Sequence, residues 1–175
     1  MDITKISAGK DVPSQVNVII EVPMNADPVK YEMDKDSGAL LVDRFLATPM
    51  YYPCNYGFIP NTLSDDGDPA DVLVVSDYAI IPGAVIEAKP IGVLLMEDEK
   101  GMDEKIIAVP AKKLNSQYDE IEECADLPKG LLDKISHFFE RYKDLEKGKW
   151  VKIAGFGDSK RAKDLINEAV ARCSK

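Results

Sequence analysis

Every helical periodicity in this chain falls after residue 128, and the first 127 residues are short apolar runs punctuated by turn residues. There is no strand–helix–strand alternation, so the order points to an α+β protein, an antiparallel β-barrel with helices packed outside it. Val16, Val18, Ile20 and Val22 repeat with a period of two, which is a strand that turns Glu21 away from its main apolar row. Lys30, Glu32 and Asp34 share one face of the next segment, Tyr31 and Met33 the other, and the turn 34–38 leads into a returning strand over 39–46 that carries Arg44. Further strands are predicted at 71–76, 84–89, 91–96 and 105–109, with a turn at Pro82-Gly83 and a charged loop over 97–104. Two amphipathic helices follow. The first spans 128–145 with Leu131, Ile135, Phe138, Tyr142 and Leu145 in register; the second spans 159–172 with Leu165, Ile166, Ala169 and Val170 as its stripe. No repeat, low-complexity tract or linker divides the chain, and its 175 residues read as a single domain, 1–175.

Charge removes some functions from consideration. A formal net charge of −9 opposes broad binding to nucleic acid or to an anionic membrane, both of which need a positive footprint. No window approaches the length of a membrane span, and the N-terminus lacks the apolar core of a signal peptide. Cys54, Cys124 and Cys173 are odd in number and widely spaced, so they build neither a disulfide framework nor a zinc site, and a reducing cytoplasm is the expected setting. His137 is the sole histidine, which excludes histidine triads and histidine-based zinc hydrolases within one chain.

The densest chemistry is Asp-Asp-Gly-Asp-Pro-Ala-Asp, placing Asp65, Asp66, Asp68 and Asp71 within seven residues just before the run Val72 to Val75. Two readings stand: a solvated acidic turn, or oxygen ligands converging on a hard divalent cation and anchored by a buried strand. An EF-hand fails, because the sixth position from Asp66 is Asp71 instead of glycine and a strand follows instead of a helix. No Gly-x-Gly-x-x-Gly or phosphate-cradling loop is present. A second acidic group, Glu97-Asp98-Glu99 with Asp103, ends at Lys105 and reads equally as a hairpin tip. Lys30, Arg44 and Lys143 are the cationic counterweight, and Tyr52 and Tyr56 precede the acidic turn; each taken singly reads as a surface charge or a packed ring.

Taken in order, these blocks resemble family I soluble inorganic pyrophosphatases. Asp66-Gly-Asp-Pro-Ala-Asp-Val72 is similar to the family signature, and Lys30-Tyr-Glu32, Val42-Asp-Arg-Phe45, Tyr52-Pro-Cys-Asn-Tyr-Gly57 and the stretch from Tyr142 to Trp150 resemble its other blocks. Ala70 departs from the family, whose members more often carry a larger aliphatic residue there. The resemblance implies a closed five-stranded, OB-like barrel with flanking helices. It implies several Mg²⁺ ions, with Asp66, Asp71 and Asp103 as ligands of the tightest, Asp71 shared with a second, Asp98 and Asp103 serving a third, and Glu21 and Glu32 contributing nearby. Asp68 would be the general base, and Lys30, Arg44, Tyr56, Lys105, Tyr142 and Lys143 would hold the two phosphates. The implied activity is hydrolysis of inorganic diphosphate to two orthophosphates. A homohexamer is the implied assembly, and the aromatic side chains Phe138, Phe139 and Tyr142, clustered on one helix, are expected to help form its interface. The rival readings are an oligonucleotide-binding barrel, disfavoured by the negative charge, and a phosphatase for nucleotides or polyphosphate.

Overall fold

The computed structural model describes residues 2–174. The strands are β1 (Val16–Val22), β2 (Val29–Met33), β3 (Leu40–Phe45), β4 (Asn55–Phe58), β5 (Asp71–Val74), β6 (Val85–Asp98), β7 (Gly101–Met102) and β8 (Lys105–Pro110); α1 (Lys129–Arg141), β9 (Val151–Gly157) and α2 (Ser159–Cys173) complete the chain. Strands β1, β4, β5, β8 and β6 pair in that order, and β6 returns to pair with β1, closing a five-stranded ring. Four of its joins are antiparallel, and β5 runs parallel to β8. The expected closed barrel is therefore present, with one parallel seam that periodicity does not reveal. β7 and β9 extend from β6 outside the ring, and β2 and β3 form a separate hairpin.

Both faces of the ring are covered, which explains its nearly continuous apolar runs. Along β5 and β8, Leu73, Ile107 and Val109 pack in one core with Ile135, Phe138 and Phe139 of α1. Val72, Val74, Ile106 and Ala108 point the other way, toward Ala162, Ile166 and Ala169 of α2. Helix α2 begins where Asp158 accepts a hydrogen bond from the Arg161 amide at 2.8 Å, satisfying a donor the helix leaves unpaired.

Four departures from the sequence expectation have physical causes. The strands predicted at 84–89 and 91–96 are one continuous element, because a register shift between Pro90 and Gly92 absorbs the missing proline donor. Gly92 lets its neighbours approach closely: a Cβ there would lie 2.3 Å from Cys124 Sγ and 2.7 Å from the Gly157 carbonyl oxygen. Strands β4, β7 and β9 fall outside the predicted set: β4 and β7 are too short for a period, β7 pairing with the end of β6 inside the expected 97–104 loop, and Gly155 interrupts β9. Helix α1 ends at Arg141 instead of continuing to 145, and Leu145 is exposed. Finally, Phe138, Phe139 and Tyr142 are buried within the chain, where the Tyr52 ring lies tilted 4.7 Å from Phe138 and Phe138 stacks 5.2 Å from Tyr142. These aromatic side chains belong to the chain's own core and do not form the expected interface surface.

Candidate active site

One end of the ring opens into a cleft of about 420 Å³. The parallel seam places its centre. Val72 is paired with Ile106, so the residues one step earlier, Asp71 and Lys105, begin their strands side by side. Lys105 is buried, bonds Asp71, and lies 2.5 Å from Asp103 Oδ1. Burial by itself would lower the Lys105 pKa, but the two carboxylates hold it well above the ordinary lysine value. Burial pushes Asp71 upward against the opposing charge of Lys105.

A second buried pair forms the adjoining wall. Lys143, just beyond α1, bonds Asp98 Oδ2 at 2.7 Å, and the Lys100 amide donates to Asp98 Oδ1 at 2.8 Å. Burial would raise Asp98, yet these hydrogen bonds outweigh it and keep the carboxyl below its usual range. Tyr56 and Tyr142 line the floor, their phenols raised by burial. Tyr52 also lines the cleft and packs against Tyr56 and Phe138 in the aromatic cluster.

The β2–β3 hairpin supplies the opposite wall. Glu21, buried on β1, latches the hairpin to the barrel by accepting from the Met33 amide at 2.7 Å; burial pushes its carboxyl up to about 8. Lys30 bonds Glu32 on its own face and lies 3.4 Å from Asp43, whose Oδ2 also accepts from Arg44 Nη1 at 3.0 Å. Adjacent strand residues ordinarily point to opposite faces. Here the register slips between Lys30 and Tyr31, leaving Asp43 as an extra residue on β3 and bringing both Asp43 and Arg44 to the cleft. Arg44 Nε is buried with no hydrogen-bond partner among the described residues, and Glu146 Oε1, equally unpartnered, is 3.7 Å away.

The acidic turn closes the ring of side chains. Gly67 adopts φ +90°, a left-handed conformation that suits glycine, and the Asp68 amide donates to Asp66 Oδ1 at 3.0 Å. Asp68 Oδ1 is 3.2 Å from Lys35 at the hairpin turn. Every residue given a metal, phosphate or base role by the family resemblance thus lines one cleft, although they come from β1, the hairpin, β4, the acidic turn, β6 and the loop after it, β8 and the end of α1; Asp65, which pairs with Arg172 at 2.8 Å, and Glu97 lie outside it. His137 sits exposed on α1 and takes no part. Asp43, Lys35, Lys100 and Lys149 also line the cleft without having been expected there; Asp43 and Lys149 fall inside the family-like blocks, whereas Lys35 and Lys100 carry no sequence signal of a site role.

The donor set fits hard divalent cations. The cleft wall holds Glu21, Glu32, Asp43, Asp66, Asp68, Asp71, Asp98, Glu99 and Asp103, nine carboxylates, against the seven cations Lys30, Lys35, Arg44, Lys100, Lys105, Lys143 and Lys149. Carboxylate oxygen is the ligand such ions prefer. No three acids converge into a ready cage among the described residues; Lys105 and Lys143 neutralise Asp71, Asp103 and Asp98 in this arrangement.

Residues 18–174 match the family described as inorganic pyrophosphatase. The chain is 61% identical over 175 residues to an inorganic pyrophosphatase of Bradyrhizobium diazoefficiens, covering 100% of this chain and 98% of that protein. It is 59% identical over 175 residues to one from Pseudomonas aeruginosa, with 100% of both chains covered. The crystal structure of an inorganic pyrophosphatase from Thermus thermophilus superposes with a TM-score of 0.94 at 45% identity, covering 100% of each chain.

Proposed function

The chain belongs to the inorganic pyrophosphatase family and is an enzyme that hydrolyses pyrophosphate; we propose that it does so in the cleft described above, with Mg²⁺, by direct attack of water. The observation that carries this reading is the interleaving of carboxylates and cations around a single cleft, with Lys105 set between Asp71 and Asp103. A dense polyanion needs cationic groups to hold it, and its counter-ions need carboxylates, so the two sets belong in one place.

Lys30, Arg44, Lys105 and Lys143, with the hydroxyls of Tyr56 and Tyr142, hold the two phosphoryl groups. Arg44 suits a phosphate edge because its planar fork donates in pairs, and its Nε, 3.7 Å from Glu146, makes no hydrogen bond among the described residues. Asp66, Asp71 and Asp103 would hold the tightest ion, Asp71 bridging to a second, Asp98 and Asp103 a third, with Glu21 and Glu32 beside them. Mg²⁺, when bound there, neutralises phosphate oxygens and acidifies water. Asp68 accepts the proton of the attacking water as its oxygen bonds to one phosphorus and the bridging P–O bond breaks. No side-chain nucleophile is required, since phosphoryl transfer asks the protein for position and charge. Phosphate release from pyrophosphate compared with ATP, with and without Mg²⁺, tests the reading; faster release from ATP would replace it with a nucleotide phosphatase. An oligonucleotide module is disfavoured by a cleft with more carboxylates than cations.

The two roles assigned to the charged groups separate experimentally. Arg44→Lys keeps the charge but loses the fork, so excess Mg²⁺ should leave its defect unrestored. Asp71→Asn should instead shift the Mg²⁺ dependence of activity upward. Equal Mg²⁺ midpoints for Asp71→Asn and the parent would remove Asp71 from the ligand set.

The matched span 18–174 supports one catalytic domain over 1–175. We also propose a cytoplasmic homo-oligomer, a hexamer by family resemblance. Buried Cys54 and Cys124, free thiols both, suit a reducing compartment, and no described helix is long and apolar enough to cross a membrane. Exposed Leu41, Val42 and Phe45 on β3 are apolar surface that an assembly would cover. Light scattering at micromolar protein should show a mass well above the 19.3 kDa chain; a monomer alone would overturn the assembly.

A further inference from the structure

The acidic turn lies in the connection between β4 and β5, and its neck is narrow. The Ile59 amide donates to the Ala70 carbonyl at 3.0 Å, so these two residues face each other where the loop leaves and rejoins the ring. Thr62 sits inside that neck, buried. Its Oγ1 accepts from the Ala70 amide at 2.9 Å and donates to the Ile59 carbonyl at 2.6 Å, so one hydroxyl ties both chain ends together. Ala70 is the residue before Asp71. Farther out, the loop is held by main-chain bonds: Leu63 N to Ala169 O of α2 at 2.9 Å, Ser64 N to Asp68 O at 2.7 Å, and Gly67 N to Ser64 O at 3.1 Å.

We propose that Thr62 is a positioning residue for the cleft: its hydroxyl fixes the neck of the acidic loop and thereby the relative placement of Asp66, Asp68 and Asp71. The inference rests on the reading that this loop holds divalent cations. A buried hydroxyl with donor and acceptor both engaged leaves two main-chain groups unsatisfied when it is removed, and the cheapest relief is for the neck to open toward solvent. Opening it moves Asp71 relative to Asp66, while Lys30, Arg44 and Lys143 stay in place because they ride on other elements. The loss should fall on cation affinity and leave the pyrophosphate KM at saturating Mg²⁺ nearly unchanged.

Thr62→Val keeps the shape and deletes the hydroxyl; Thr62→Ser keeps the hydroxyl and deletes the methyl. Mg²⁺ binding to the pyrophosphate-free protein, followed by calorimetry beside the parent, separates hydrogen bonding from packing. Thr62→Val is expected to bind Mg²⁺ on the order of 10-fold more weakly, as for other partners that orient ligands without touching the ion. Thr62→Ser should bind close to the parent value. Should Thr62→Val not fold, Thr62→Ala carries the same comparison with serine. Parent-like affinity without the hydroxyl, or a serine variant as weak as the hydroxyl-free one, would overturn the proposal and leave the catalytic reading standing. A parent that neither binds Mg²⁺ nor releases phosphate overturns the catalytic reading and this inference with it.

Discussion

Asp68→Asn is expected to bind Mg²⁺ and pyrophosphate nearly as the parent does and to turn over about 10²–10⁴-fold more slowly. The structure makes this a clean substitution. Among the described residues the Asp68 side chain makes one exposed ion pair, with Lys35, which contributes little to stability. The contacts that shape the turn are made by its backbone, the amide donating to Asp66 and the carbonyl accepting from Ser64, and asparagine keeps both. What asparagine loses is the capacity to take a proton at neutral pH. Its residual rate should climb with pH as hydroxide becomes available without help from the protein. A pH–rate profile beside a direct Mg²⁺ titration checks this. Parent-like turnover, or a defect traced wholly to lost cation, would take the base role away from Asp68.

Lys105→Met should make folding stability depend more strongly on Mg²⁺ than it does in the parent. Lys105 is the shared partner of Asp71 and Asp103 and is itself buried. Methionine follows the lysine stem in shape but leaves two neighbouring carboxylates facing each other without a counter-charge. Breaking a buried ion pair by removing one partner costs about 3–5 kcal/mol. For a chain of 175 residues that lowers the thermal midpoint by roughly 6–20 °C. A divalent cation binds only the folded acids, so it should restore more of the midpoint in the variant than it adds to the parent. Thermal denaturation of both proteins with and without Mg²⁺ gives the answer. If Mg²⁺ shifts both midpoints equally, Asp71 and Asp103 do not share a cation site.

Much of the site was legible because chemistry is local in the chain. The acidic run, its glycine and the strand after it are contiguous, and the Lys30 and Glu32 face follows from a period of two; in the structure those two residues do pair. The aromatic residues of α1 show the opposite case. Their spacing was legible, but which surface they meet was not, and they meet Tyr52 of the same chain.

The sequence by itself determined which residues alternate, where helices can begin and which side chains could carry charge chemistry, because propensity and periodicity act over a few neighbouring residues. Tertiary structure alone decided the pairing of β5 with β8, which sets Asp71 beside Lys105 across 34 residues of chain. It also decided the slip in the hairpin register that turns Asp43 inward, and the neck that Thr62 ties. These depend on which distant strands meet and in what register. That choice is settled by burying both faces of a closed sheet at once, a condition no short window of sequence can express.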